Sequence, residues 1–374
     1  MRYRSERRVA SDTTEFAGYT STFQPQPQPL PLQRTMSSRD INPEWKLVSI
    51  GRGSFATVSI LSGRPVAFKH DVFLDRTPEL NAEFKALRYI YDSCNTDSFF
   101  AIPRPLAYYD PAVATSFVSP DRSPITSGRP RAHRPLVTED DFKALKLDTA
   151  AYAMDQVLPL PLSTAFLIRK LFYPPGQDNA PVPSLCRLYF GKVIDVTSSG
   201  GRPSRFFNSA NFPLDVSRYR RMQEDTHVDE YSTVDDIVHG MGEMLGRLHW
   251  RGGYDGRDIE FVMGGASFSG VAMNVIDFNQ VRHFESADDE IKIIFPKMRP
   301  WSRKEDGVHQ LVDAFFSNDP YYPRPRRGDP LYQKFCLGYL EATLKVSKED
   351  AELAKAFLHA IEAEQATRDS AVRD

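Results

Sequence analysis

The sequence predicts an α+β protein with two lobes, a small strand-rich N-terminal lobe with one helix and a larger, mainly helical C-terminal lobe. Residues 45–158 contain short runs rich in β-branched and aromatic residues, whereas residues 159–374 contain longer segments with apolar residues at helical spacing. Prolines mark a connection between the two near residue 159. Strands that precede helices, instead of alternating with them, are typical of α+β folds rather than of a doubly wound sheet.

The first 44 residues are predicted to be a disordered tail. They contain the run QPQPQPLPLQ and few residues that could pack against a core. Such a run favours an extended polyproline conformation. A solvated tail is the simpler interpretation, and docking to an SH3-like or WW-like domain is the alternative.

The N-terminal lobe is predicted to contain five strands and one helix. The helix is indicated by Leu80, Phe84 and Leu87, which lie at helical spacing after Pro78. Residues 111–135 hold five prolines among many Ser, Thr and Arg residues, which predicts a disordered insertion. The predicted strands are WKLVSI, ATVSIL, PVAFKHDV, FFAIPRPLAYYD and TAAYAMDQVLPLP.

The C-terminal lobe is predicted to be built from helices. The strongest pattern precedes Leu248, where Ser232 and Asp235 have the spacing of a capping box. The predicted helices are NFPLDVSRYRRMQED, STVDDIVHGMGEMLGRLHW, residues 330–345 and residues 348–366.

Composition excludes several classes of protein. A net charge of −2, from 47 basic and 49 acidic residues, argues against a surface that binds nucleic acid over its whole extent. The cysteines Cys94, Cys186 and Cys336 are far apart and form no CxxC motif or Cys/His cluster, so reduced thiols are expected rather than a zinc module or disulfides. No apolar run approaches the ~20 residues of a membrane span. A cytoplasmic or nuclear location without membrane contact is expected.

A glycine-rich segment between the first two predicted strands suggests a nucleotide site. Gly51 and Gly53 lie two residues apart, followed by Phe55 and Val58, and Lys69 ends the apolar run of the third strand. Glycines allow a backbone to approach a ligand closely. A plain tight turn is the alternative, and the Gly-Lys-Ser/Thr of a Walker A loop is missing. The set resembles the nucleotide-binding start of the protein-kinase fold, which implies that Gly51, Gly53 and Val58 cover bound ATP.

The same resemblance implies that Lys69 binds the α- and β-phosphates of ATP. A lysine at the end of an apolar strand needs an anion if it is buried. Glu83, in the predicted helix, is the expected partner, and Glu79 is the alternative.

Met154 begins a run that resembles the hinge whose backbone contacts adenine. Ala56 stands where the third glycine of the family's loop is expected.

A kinase-like protein also needs a catalytic loop and a metal-binding aspartate further along the chain. In LHWRGGYDGRDIEFVMGG, Asp255 follows a helix that ends in Leu-His, and Glu260 comes five residues later before an apolar strand. Asp277 then begins Asp-Phe-Asn, which resembles Asp-Phe-Gly. The resemblance implies that Asp255 accepts a hydroxyl proton, that Asp277 holds Mg²⁺, and that Glu260 takes the position of the second metal ligand.

This segment also departs from the kinase pattern. A Gly-Tyr pair replaces His-Arg before Asp255, Asn279 replaces a glycine, and no Ala-Pro-Glu motif follows. Asp258 competes with Asp255 for the catalytic role because an arginine precedes it. That assignment would put Met263 at the metal position, so Asp255 is preferred. Both aspartates could instead cap turns.

The second half of the chain resembles a family of uncharacterised fungal proteins, some of which are labelled zinc-finger-like. The resemblance covers most of residues 150–345 and implies no substrate or activity. Its motifs are LHWRGGYDGRDIEFVMGG, IDFNQVR, NFPLDV and DPYYPRPRRGDPLYQKFCLGYL.

Three functions follow as hypotheses. The first is an ATP–Mg²⁺-dependent phosphotransferase acting on a hydroxyl group, with a small-molecule acceptor favoured because Ala-Pro-Glu is absent. The second is a pseudokinase that acts as a regulatory or protein-interaction module. The third, a DNA-associated regulatory protein, is suggested only by the family label, the arginines of the tail and the run at 323–327.

Overall fold

The structure is a computed structural model. The predicted tail and most of the predicted insertion lie outside the described residues, as do Gly53 and Phe55. Trp45–Asp374 form one compact unit. The boundary between lobes near residue 159 stays a prediction. The described residues are 47–52, 56–71, 73, 76–113, 117–118, 137–174, 176–177, 179–194, 211–226, 231–266, 270–283, 305–318, 320–344 and 348–371.

The first sheet has five antiparallel strands in the order β1-β2-β3-β5-β4. In its register, Lys69 lies opposite Val58 on one side and opposite Tyr152 on the other. Directly paired residues point to the same face of a sheet, so these three side chains share one face. The strands are β1 (Leu47–Arg52), β2 (Ala56–Leu61), β3 (Val66–Asp71), β4 (Pro105–Tyr109) and β5 (Ala151–Asp155).

Helix α1, Thr77–Cys94, packs on this sheet. Pro78 lies in its first turn, and the apolar residues of the predicted pattern are all buried. The ring centroid of Phe84 lies 5.7 Å from that of Tyr152 in β5. Glu83, the residue before Phe84, is also buried, with 6% of its surface exposed. The predicted helix is therefore confirmed.

The prediction of one helix in residues 45–158 is wrong, because α2 (Glu139–Ala144) also lies in this segment. Its N-terminus is a capping box in which Asp141 Oδ2 accepts a hydrogen bond from the backbone N–H of Thr138 at 2.7 Å. Six residues with a single buried apolar residue, Phe142, give too short a pattern for helical periodicity to be detected.

The second half is mainly helical, as predicted, and it also contains a sheet, of which the apolar strand after Glu260 was expected. A second sheet has the order β7-β6-β8-β9, with β6 and β7 parallel and the other pairs antiparallel. The first four residues of one predicted helix, NFPL, instead form β7, and the helix itself starts at Val216. The strands are β6 (Leu185–Leu188), β7 (Asn211–Leu214), β8 (Glu260–Gly265) and β9 (Val271–Ile276).

Among the described helices of the second half, one precedes this sheet in the chain, two lie between β7 and β8, and three follow β9. Helix α5 is capped by Thr233 and Asp236, one residue later than the predicted pair, and it continues into a π-helical turn, Leu248–Gly252. Helix α5 packs so closely on α7 that a Cβ on Gly246 would lie only 2.7 Å from the carbonyl oxygen of Tyr339. The helices are α3 (Leu162–Phe172), α4 (Val216–Thr226), α5 (Val234–Arg247), α6 (Glu305–Ser317), α7 (Pro330–Thr343) and α8 (Lys348–Ala371).

The α+β class predicted from the sequence is confirmed, with the five-stranded sheet in the N-terminal half and most helical residues in the C-terminal half. Within the described residues, no helix has the length and apolar character needed to cross a membrane.

Candidate functional site

Lys69 is nearly buried, with 8% of its surface exposed. Its Nζ lies 2.6 Å from Oε1 of Glu83 in α1. The hydroxyl of Tyr152 donates a hydrogen bond to the same carboxylate oxygen at 3.0 Å. The strand register and the buried face of α1 thus bring Lys69 to Glu83, the first of the two expected partners.

Asp277 reaches the same lysine from a distant part of the chain. Its Oδ1 lies 3.1 Å from Lys69 Nζ, although the two residues are 208 positions apart. Asp277 directly follows β9 and has a φ of 65°, in the left-handed region that aspartate tolerates better than most residues. Its side chain is 32% exposed, so a ligand can approach this carboxylate.

The two carboxylates keep Lys69 charged. Burial alone would lower the pKa of Lys69, but the negative charges of Glu83 and Asp277 outweigh burial and raise that pKa well above its ordinary value. A permanently charged ammonium group next to a partly exposed carboxylate can bind an anion such as a phosphate.

Asp258 and Glu260 lie close to this group. Glu260 is the first residue of β8, and its Oε1 lies 2.7 Å from Nη2 of Arg187 in β6. The side chain of Gln280 donates a hydrogen bond to Asp258 Oδ2 at 2.6 Å. Burial raises the pKa of both acids, and the charge of Asp277 raises it further; the pKa of Glu260 is about 7.

Asp255, the preferred catalytic residue, is buried against backbone and arginine groups. Only 1% of its surface is exposed. Oδ1 accepts hydrogen bonds from the backbone N–H groups of Arg257 and Arg282, and Oδ2 accepts one from Arg282 Nε at 2.5 Å. This carboxylate therefore ties the segment after β9 to the segment before β8. Its predicted role as a proton acceptor stays a prediction.

Of the remaining predicted residues, Gly53 lies outside the described residues, and Gly51, Val58 and Met154 lie on the first sheet. Gly51 pairs with Val58 across β1 and β2. Met154 is half-buried in β5, two residues after Tyr152, so its side chain points to the same face as Lys69. The connection after β5 then pairs with the end of β8, where Gly265 N–H donates to the carbonyl of Leu158 at 2.8 Å. The predicted contacts with a nucleotide stay predictions.

Sequence reasoning missed Arg187, Gln280 and Arg282, which contact Glu260, Asp258 and Asp255 respectively. Gln280 and Arg282 follow Asp277 closely, so the motif itself could have indicated them. Arg187 had no such signal, because β6 has only four residues and was not recognised as a strand.

The described residues contain no group of three His, Cys, Asp or Glu side chains close enough to hold a metal ion. This does not conflict with a Mg²⁺ ion bound to a nucleotide, because Mg²⁺ in such sites takes one or two carboxylates and completes its coordination with phosphate oxygens and water. Asp277, partly exposed and next to Lys69, fits that requirement.

Comparison with known proteins gives two findings. Residues 273–351, less than half of the chain, match the family model DUF3669, described as "Zinc finger protein". The solved structure of the GDP and kanamycin complex of APH(2")-IIia is similar at 12% sequence identity over 86% of this chain and 93% of that chain, with a TM-score of 0.22. That score is too low to assign a fold. No curated protein matches.

The zinc-finger description has no counterpart in the described part of the chain. Cys94 and Cys186 are buried, Cys336 is half-buried, and all three are free thiols. A structural zinc ion needs four ligands, chiefly Cys and His, converging on one point.

Proposed function

We propose that the protein binds ATP with Mg²⁺ in a kinase-like cleft between a strand-rich N-terminal lobe and a larger C-terminal lobe. One observation carries this proposal: Lys69 contacts both Glu83 and Asp277. In phosphotransferases with the protein-kinase fold, a strand lysine paired with a helix glutamate and a metal-binding aspartate are the groups that must be in place around the nucleotide. For such a protein we propose a location in the cytoplasm or the nucleus.

Each residue has a distinct part in this proposal. Lys69 binds the α- and β-phosphates, and Glu83 with Tyr152 holds the lysine in position. Asp277 holds the metal ion, which when bound would neutralise charge on the phosphate oxygens. Gly51 and Val58 lie over the nucleotide, and the backbone near Met154 meets the base.

For phosphoryl transfer to a hydroxyl group, Asp258 is the better of the two candidate proton acceptors. Its carboxylate is partly exposed, is oriented by Gln280 and interacts electrostatically with Asp277. Both oxygens of Asp255 already accept hydrogen bonds. We therefore assign Asp255 a positioning role and Asp258 the proton-accepting role.

A pseudokinase, which binds the nucleotide without transferring phosphate and serves as a regulatory or protein-interaction module, is the second candidate. The ion pair between Glu260 and Arg187 favours it, because a carboxylate engaged by a guanidinium is a poor ligand for a second Mg²⁺. The arginines at 326 and 327 give no support to DNA binding, since each forms an ion pair with an acidic residue of α8.

Thermal stabilisation by ATP and Mg²⁺ tests the proposal. Ligand at 100 times its dissociation constant stabilises a folded protein by about 2.7 kcal/mol. We expect wild type to show a clear upward shift in Tm, and Lys69→Ala and Asp277→Ala to lose most of it. Lys143→Ala, which removes a lysine from a surface ion pair, is the matched control and should keep the shift.

A wild-type protein with no shift would contradict nucleotide binding. Where the shift is present, phosphate release or transfer to a hydroxyl acceptor separates the two candidates: turnover lost in Asp258→Asn supports the phosphotransferase, and a shift without turnover supports the pseudokinase.

A further inference from the structure

The ion pair between Arg187 and Glu260 is fixed by the register of the second sheet. Arg187 lies opposite Val262 in the antiparallel pair of β6 and β8. Glu260 is two residues before Val262, so the side chains of Arg187 and Glu260 lie on the same face as diagonal neighbours. The 2.7 Å contact between Nη2 and Oε1 is the result.

This pair lies at one side of a group of acids. Asp258 and Asp277 both interact electrostatically with Glu260, while Lys69 and Arg187 are the cations that counter its charge. Lys69 contacts Asp277 directly, and Arg187 contacts Glu260 directly. An arginine side chain remains charged at every pH at which a protein is folded.

We propose that Arg187 supplies, beside Glu260, the positive charge that a second divalent cation would otherwise supply, so that the site accepts ATP with one divalent cation only. The claim that ATP binds with a single divalent cation rests on the proposed function. The competition between Arg187 and a metal ion for Glu260 can be tested without nucleotide. Glu260 then serves to hold Arg187 in place, and Asp277 is the acid left to bind the metal ion.

Counting bound Mn²⁺ tests this inference. Free Mn²⁺ is measured by electron paramagnetic resonance at pH 8, with and without ATP, for the full chain. The variants are Arg187→Gln, Arg187→Lys and the double variant Arg187→Gln/Glu260→Gln. Circular dichroism checks that each is folded, and Arg187→Met, which keeps an unbranched apolar chain, replaces Arg187→Gln if that variant does not fold.

With ATP, wild type and Arg187→Lys should bind one Mn²⁺ per chain. Arg187→Gln should also bind a second Mn²⁺, with a dissociation constant at least tenfold lower than any second binding by wild type. The double variant should return to one. Without ATP, Arg187→Gln should bind Mn²⁺ more tightly than wild type does, because Glu260 is then free to act as a ligand. Two ions in wild type, or no gain in Arg187→Gln, would overturn the inference. A wild type that binds no ATP would contradict the proposed function, and the nucleotide-free comparison would still decide the role of Arg187.

Discussion

Among the residues of the site, Lys69 and Glu83 form a buried ion pair, and removing one of its charges has a larger effect than removing one charge of a surface pair. Both side chains are at most one-tenth exposed, and Nζ and Oε1 are 2.6 Å apart. Breaking such a pair from one side leaves the other charge buried without compensation. Its contribution should therefore be visible in stability as well as in ligand binding.

Replacing Lys69 with methionine should lower the free energy of unfolding by about 3–5 kcal/mol, because Glu83 is left without its cation. The double variant Lys69→Met/Glu83→Gln should recover a large part of the loss. Lys143→Met, at a surface pair with Glu139, is the control and should leave the midpoint of guanidinium unfolding nearly unchanged. Equal midpoints for Lys69→Met and wild type would show that the pair is not buried in solution.

Asp71, at the end of β3, is buried and its Oδ2 has no hydrogen-bond partner among the described residues. Burial, with a smaller effect from the charges of Glu83 and Glu79, raises its pKa from 3.8 to about 6. Because the folded-state pKa is above the unfolded value, the folded protein binds the proton more tightly. Its stabilising contribution is present below pH 4 and is lost as the pH rises through 6.

Asp71→Asn should therefore be more stable than wild type at pH 7, by at most about 3 kcal/mol, and close to wild type at pH 4. Urea unfolding across this range measures the difference. Asp313→Asn, at an exposed position of α6, is the control and should show the wild-type change of unfolding free energy with pH. If the unfolding free energies of Asp71→Asn and wild type changed with pH in the same way, the raised pKa of Asp71 would be contradicted.

The candidate site was predictable from the sequence where its residues occur in motifs. Lys69, Glu83 and Asp277 each follow or belong to a recognisable apolar element, and the structure brings them into contact. The sequence favoured Asp255 over Asp258, because the contacts that distinguish them, with Arg282 and Gln280, form only after the chain folds.

At the scale of elements, helices with long periodic patterns were predicted well and short strands were not. Helices α1, α5 and α7 have 14 or more residues and were identified. Strands β6 and β7 have four residues each, and their pairing joins separate parts of the chain in parallel. Four residues are too few to establish a period of two, so β6 and β7 could not be predicted from local pattern. The apolar strand expected after Glu260, in contrast, is β8.

The N-terminal cap of helix α5 is Thr233, one residue later than the predicted Ser232, and the two can be distinguished by mutation. Thr233 Oγ1 accepts a hydrogen bond from the backbone N–H of Asp236 at 3.1 Å. Thr233→Ala should therefore lower the free energy of unfolding by about 1 kcal/mol, because that N–H loses its partner. Ser232→Ala removes the hydroxyl of the residue predicted from sequence and should leave the free energy of unfolding nearly unchanged. Thermal unfolding of both variants measures the difference. A larger loss for Ser232→Ala would restore the predicted cap.

At the scale of the whole molecule, the two predicted lobes are linked by a shared core. The backbone N–H of Ala101 donates to the carbonyl of Met273 in β9, and Ala101 accepts from Val275, both at 3.0 Å. The rings of Phe100 and Phe261 have centroids 4.8 Å apart. One hydrophobic cluster includes residues of α1, β5, the second sheet and α5 to α8.

A core shared in this way predicts that the N-terminal lobe does not fold by itself. The fragment 45–158 would expose Phe84, Phe100 and Tyr152, which pack in the cluster that residues of the second half complete. Calorimetry of the full chain should show a single transition with equal calorimetric and van't Hoff enthalpies. The fragment should lack dispersed amide signals in its NMR spectrum. Two separate transitions, or a cooperatively folded fragment, would instead mean that the lobes are independent and that a cleft between them can open without breaking a common core.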